Sequence, residues 1–221
     1  MTEPATPGRP GLAGWPVNLV VEGRRVVVVG AGRVAARKIE PLLELGADVE
    51  VVAPRIDQAV RRLADDARER NGRIVLTERA FVSSDLDGAW LAVTATDDPD
   101  VNASVAAAAE MARIWCNSAD DPDNCSFTLM SVVRQADLVV AIGSGGRSPA
   151  LASWLKRHVQ EEMGPEYATL LDLLSEARET MRADGRPTGD ADWQRALESG
   201  IVELVRSGRI AEAKELLNSC L

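Results

Sequence analysis

Four consecutive valines, residues 26–29, run straight into Gly30-Ala31-Gly32-Arg33-Val34-Ala35, and no other stretch constrains the fold of this chain as strongly. A β-branched run without polar alternation is a strand covered on both faces, which belongs inside a parallel sheet. The G-x-G-x-x-A then sits where a strand turns into a helix. There the first glycine permits the tight turn, the second lets backbone approach a pyrophosphate, and Ala35 lets helix and strand pack closely. The helix N–H groups would face the phosphates. The junction therefore reads as a dinucleotide cradle on an α/β, doubly wound sheet.

The rest of the first half follows the same grammar. Helical spacing over 34–45 stops at Gly46, residues 49–53 form a second strand closed by Pro54, and 56–70 read as helix. Residues 74–76, 90–94 and 114–116 read as further strands, with a helix opened by Asp98-Pro99 and reaching about Arg113. After Asn124 the pattern changes to a hairpin: apolar strands over 127–133 and 138–142, joined by Arg134-Gln135-Ala136-Asp137. Four helices are expected from there, over 151–163, 167–183, 192–205 and 210–217. The resulting division is a disordered lead-in over 1–14, a Rossmann-like domain over 15–124, a hairpin region over 125–163 and a helical domain over 164–221.

Composition narrows the class. With 25 basic and 34 acidic residues the net charge is −9, and no basic stripe offers a surface for nucleic acid. No run of 18 apolar residues is present, so no membrane span is expected. An odd set of three cysteines, Cys116, Cys125 and Cys220, without a signal-peptide pattern points to free thiols in a reducing cytoplasm. One histidine, His158, and scattered cysteines supply no ligand cluster for a permanent metal.

Three places carry candidate chemistry. An NAD fingerprint expects an acid near the tip of the second strand, yet that strand ends Val51-Val52-Ala53-Pro54-Arg55, with Glu50 inside it. This leaves NAD and NADP both open, and Arg55 is placed to meet a 2′-phosphate. The loop Gly143-Ser144-Gly145-Gly146-Arg147-Ser148-Pro149 offers N–H groups, hydroxyls and a guanidinium, which suits carboxylates or phosphates and equally suits an ordinary capped loop. Asp120, just after Asn117 and Ser118 at a strand end, could act as a base, although spacing does not prefer it to Asp121, Asp97 or Asp98. Cys125 reads as a small buried residue rather than a nucleophile, and His158 as a surface or packing residue.

Taken in order, Trp15-Pro16-Val17-Asn18-Leu19, the Gly30–Lys38 stretch, Ala95-Thr96-Asp97-Asp98-Pro99-Asp100-Val101-Asn102, Trp115-Cys116-Asn117 and Ser144-Gly145-Gly146-Arg147-Ser148-Pro149-Ala150-Leu151-Ala152 resemble the precorrin-2 dehydrogenase / sirohydrochlorin ferrochelatase family, the N-terminal module of siroheme synthase. The resemblance implies NAD-dependent conversion of precorrin-2 to sirohydrochlorin, with ferrous iron insertion in some members, by a cytoplasmic homodimer that has a hairpin dimerisation region and a helical C-terminal domain. It places the catalytic aspartate on Asp120. Cofactor contacts fall on Gly30, Gly32, Arg33, Val34, Pro54, Arg55, Thr94 and Thr96, and tetrapyrrole contacts on Asn117, Ser144, Gly145, Gly146 and Arg147. Two positions depart from the family pattern: Met130, where proline is common, and Gly143, often serine. The substrate is a polycarboxylate and the protein is acidic, so local cations such as Arg147, Lys156, Arg157, Arg113 and Arg134 would have to hold it. Two alternatives stay open: a dinucleotide-sensing module without turnover, and an oxidoreductase of another small molecule.

Overall fold

The structure is a computed structural model that describes residues 14–69, 72–119, 121–189 and 191–221. Apart from Gly14, the expected lead-in lies outside the described residues, as does Asp120. The chain divides after Leu129 into two compact units.

In the first unit five parallel strands form one sheet in the order β3-β2-β1-β4-β5. They are β1 (Arg25–Val29), β2 (Asp48–Ala53), β3 (Ile74–Glu78), β4 (Leu91–Thr94) and β5 (Trp115–Ser118). The helices between them are α1 (Arg33–Glu44), α2 (Gln58–Glu69) and α3 (Pro99–Ala112). The valine run shows why the strand had to be central. Val26 and Val28 pack with Ala35 and Ile39 of α1 and Val60 of α2, while Val27 and Val29 face Val105 and Ala109 of α3. Each is at most 2% exposed, and at about 1.5–3 kcal/mol per buried valine β1 is costly to perturb. Strand order reverses between β1 and β4, so the crevice at their carboxyl ends is the switch point of the sheet.

The amino edge is tied by charge. Arg25 donates to Glu50 at 2.7 Å and to the Asp85 and Asp87 carbonyls, and Asp85 accepts from Arg79 and from the Val82 amide. Asp85 sits in a 3-10 turn, Ser83–Leu86, between β3 and β4.

The second unit begins with the hairpin β6 (Ser131–Gln135) and β7 (Leu138–Ile142). Its first strand starts four residues later than expected. The Ser126 and Phe127 amides are spent on the Cys116 carbonyl, at 2.8 and 3.4 Å, which keeps that segment against β5 in the first unit. The turn shrinks to Ala136-Asp137, with Ala136 in the left-handed region at φ 51°. Helix α4 (Pro149–Glu162) packs on both strands, and Gln135 donates to the Met163 carbonyl at 2.8 Å. A helical core follows, built from α5 (Glu166–Ala183), α6 (Trp193–Glu198), α7 (Ile201–Arg206) and α8 (Ile210–Cys220) around Leu170, Leu173, Ile201 and Leu217. The single helix expected over 192–205 is two helices, because Gly200 adopts φ 88° and breaks the run.

Candidate functional site

At the β1–α1 junction the Gly30 amide donates to the Val52 carbonyl at 2.9 Å, and its φ is 103°. A Cβ at this position would lie 2.3 Å from the Ala95 carbonyl oxygen, so the β4–α3 loop comes close only because residue 30 is glycine. Gly32 starts α1 with no side-chain cap, no acid follows in the first turn, and a Cβ there would meet nothing within 4 Å. The first-turn N–H groups, the positive end of the helix dipole, therefore have no carboxylate competing for them. Arg33 is exposed and Val34 half-buried at this end. These residues fit the pyrophosphate of a dinucleotide.

Across the crevice Pro54 and Arg55 are exposed. Glu50 is spent on Arg25, and the first carboxylate beyond the tip of β2, Asp57, accepts the Ala59 amide of α2 at 2.7 Å. The ribose-binding acid missing from the sequence motif is thus not replaced by Glu50.

The β4–α3 loop is built differently. Thr94 is fully buried and donates to Asn102 Oδ1. Thr96 Oγ1 lies 2.8 Å from the same oxygen, and Asn102 Nδ2 donates to the Thr96 carbonyl at 3.0 Å. Asp98 caps α3 by accepting the Asp100 and Val101 amides. Thr94, expected to touch cofactor, instead supports this loop from below, and Thr96 shares the same polar knot. Asn102 did not emerge from the sequence as a site residue. Its signal was an amide on the buried stripe of α3, spaced three and seven residues from Val105 and Ala109.

At the end of β5 the Asn117 amide is also spent inside the protein: Oδ1 accepts from Lys38 of α1 at 2.9 Å, and Nδ2 donates to the Phe127 carbonyl at 3.0 Å. Asn117 is buried, so the geometry makes it a brace between α1, β5 and the returning segment rather than a group offered to substrate. Of the four candidate aspartates, Asp98 is a helix cap, Asp121 accepts from Asn124 at 2.6 Å, Asp97 is exposed, and Asp120 lies outside the described residues. Burial pushes the Cys116 thiol up to about 11. It raises Cys125 as well, partly offset by the Ser118 amide that donates to its sulfur, so both stay protonated and weakly nucleophilic at neutral pH. Among the described residues no three His, Cys, Asp or Glu side chains form a metal site.

The glycine-rich loop of the second unit borders a recess of about 390 Å³ lined by Ile142, Gly143, Ser144, Arg147, Ser148, Leu151, Ala152 and Leu155. Gly145 and Gly146 adopt φ 60° and 76°, which lets the loop fold back. The Ser148 amide donates to Ser144 Oγ at 3.1 Å, and Ser148 Oγ caps α4 by accepting from the Leu151 amide. Arg147 is exposed at a wall that combines Ile142, Leu151, Ala152 and Leu155 with the Ser144 and Ser148 side chains. This combination suits a flat apolar ligand bearing carboxylates. The two departures from the family pattern are neighbours: a Cβ at Gly143 would lie 3.4 Å from Met130 Sδ, across the base of the hairpin. His158 is exposed and stacks on Trp154 at 4.2 Å.

Comparison with known proteins adds three findings. Residues 17–131 match a family model described as "Putative NAD(P)-binding". The chain is 35% identical over 201 residues to a siroheme synthase of Pseudomonas entomophila and 36% identical over 207 residues to one of Nitrosospira multiformis. It aligns over 90% and 91% of its own length but spans only 42% and 43% of theirs. A solved structure titled "SirC, precorrin-2 dehydrogenase" superimposes with a TM-score of 0.69 at 23% identity, covering 94% of this chain and 98% of that one, and so shares the fold.

Proposed function

Because the chain belongs to the NAD(P)-binding family whose model spans residues 17–131, we propose that it is an NAD-dependent dehydrogenase acting on precorrin-2 in siroheme synthesis. The observation that carries this is the cradle at the switch point: Gly30 pressed against Ala95, and the first turn of α1 free of cap and acid. Collinear identity with siroheme synthases over 90% of the chain supports the substrate class. The recess beside Ser144 and Arg147, largely apolar with two serines and one cation at its wall, is suited to a tetrapyrrole carrying carboxylates.

In this reading precorrin-2 loses one hydride and one proton to become sirohydrochlorin. The bound nicotinamide supplies the hydride acceptor. The protein's own residues do the rest. Gly30, Gly32, Arg33 and Val34 hold the phosphates at the start of α1, and Pro54 and Arg55 border the adenosine side. The Thr94–Thr96–Asn102 knot sets the height of the β4–α3 loop. Asp120 takes the proton. Gly145, Gly146 and Arg147 receive substrate carboxylates beside Ser144. Ferrous iron is a second substrate that the same base could serve by accepting pyrrole protons. The reading also includes a homodimer in the cytoplasm. Val139 and Trp154 remain exposed for a second copy to cover.

The test is anaerobic incubation with enzymatically generated precorrin-2 and NAD, followed by the visible spectrum. Sirohydrochlorin should appear with NADH, and Asp120→Asn should cut turnover by about 10²-fold or more. Dinucleotide binding without any spectral change would instead favour a sensing module. Iron addition that fails to accelerate siroheme formation over the uncatalysed rate would confine the activity to dehydrogenation.

A further inference from the structure

The last rung of the sheet leaves one polar atom unaccounted for. Ser118 ends β5 in register with Thr94 of β4, and the Ala119 amide donates to the Thr94 carbonyl at 2.8 Å just beyond it. Paired residues of parallel strands place their side chains on the same face, and successive residues alternate. Cys116, two residues back, packs with Val105 and Ala109 of α3, and Thr94 donates to Asn102 of α3. Ser118 therefore stands on the α3 face at the carboxyl edge.

It is 4% exposed, and its hydroxyl is, among the described residues, the one buried side-chain nitrogen or oxygen without a hydrogen-bond partner. Its surroundings are fully engaged. The Ser118 amide donates to Cys125 Sγ at 3.1 Å, its carbonyl accepts from that thiol at 3.2 Å, the Thr94 hydroxyl donates to Asn102, and the Thr96 hydroxyl is shared between Asn102 and the Asp98 backbone. Proteins keep few buried hydroxyls unpaired, because each gives up its water without compensation, and such exceptions mark functional positions.

The location says which function. A dinucleotide held by its pyrophosphate at α1 straddles the switch point, with its adenosine ribose toward the tip of β2. Its nicotinamide half then extends the other way, over β4 and β5, where Ser118 closes the sheet. We propose that the Ser118 hydroxyl is a nicotinamide-recognition group: it hydrogen-bonds the carboxamide, directly after one χ1 step or through a single water, and so favours the complete dinucleotide over its adenosine half. This rests on the dinucleotide reading of the cradle.

The experiment compares NAD and ADP-ribose, which lacks the nicotinamide, by calorimetric titration into the full chain and its Ser118→Ala variant, alongside thermal unfolding of both proteins without ligand. Ser118→Ala should weaken NAD by about three- to tenfold, the worth of one neutral hydrogen bond, while leaving ADP-ribose within about twofold. The ligand-free variant should unfold at the same or a higher temperature, since an unpaired group has been removed. Ser118→Cys, close in size and a weak donor, should shift the two ligands in the same unequal way. Equal weakening of both ligands, an unchanged NAD affinity, or a lower unfolding temperature with unchanged affinity would each overturn the assignment. A parent chain that binds neither ligand would remove it together with the dinucleotide reading, whereas ADP-ribose binding as tightly as NAD would remove the assignment alone.

Discussion

The two strand-to-helix junctions that face each other across the switch point are built to opposite rules. At β1–α1 the helix starts on a glycine with no side-chain cap and no acid in its first turn. At β4–α3 the helix starts on Asp98, whose carboxylate takes two amides, with Pro99 next and Asn102 gathering two threonine hydroxyls behind it. One helix end is left open to an anion and the other is satisfied from within. Capping normally adds about 1 kcal/mol, so the open end at α1 is stability forgone at the place where a phosphate would supply the missing partner.

The largest break in this contrast should come from Gly30→Ala. Its Cβ would press on the Ala95 carbonyl, and φ 103° is foreign to alanine, so the two junctions must part. We expect a loss of about 1–3 kcal/mol in chemical denaturation, with dinucleotide binding reduced below detection in calorimetry. Next is Gly32→Asp, which makes α1 resemble α3. The site has room and an ordinary backbone, so the ligand-free chain should hold or gain up to about 1 kcal/mol. Dinucleotide affinity should fall about tenfold or more, since a carboxylate then competes with the pyrophosphate. Opposite signs from one substitution would establish that this helix end serves binding at the expense of stability. Asp98→Ala, the converse change, should cost about 1 kcal/mol in unfolding experiments and alter dinucleotide affinity little.

A pH series provides a control away from both junctions. Hydrogen bonds from Arg79 hold the Asp85 carboxyl below the usual carboxylate range. Its folded value is thus depressed, so the stabilisation is present above the unfolded value of about 4 and is lost as pH falls through the folded value. Asp85→Asn should therefore be less stable than the parent at neutral pH, and the two should converge on acidification. Parallel stability curves down to strongly acid pH would rule out this ion pair as the source.

Much of the arrangement was readable in the chain because it depends on near neighbours. The valine run, Gly46, the Asp98-Pro99 opening and the Ser148-Pro149 opening act within one turn of where they stand, and each element appears where its local chemistry predicted it. The helix expected over 192–205 is an exception: apolar spacing continues through Gly200, whose left-handed backbone at φ 88° splits the run into two short helices that share one core with α5 and α8. The hairpin starts later than its apolar pattern predicts because the demand on Ser126 and Phe127 comes from Cys116, ten residues before Ser126 on a strand edge.

The site itself divides along that line. Gly30, Gly32 and the Ser144–Arg147 loop carry their chemistry in the backbone they permit, and a short stretch of letters is enough to announce it. Asn117, Lys38, Thr94, Asn102 and Ser118 carry side chains whose role depends on what lies opposite. Lys38 and Asn117 are 79 residues apart when they meet. A hydroxyl or amide looks the same in the sequence whether it is spent on a buried partner, as at Thr94 and Asn117, or left without one, as at Ser118. Hydrogen-bond pairing is a property of positions in space, so that distinction belonged to the folded chain alone.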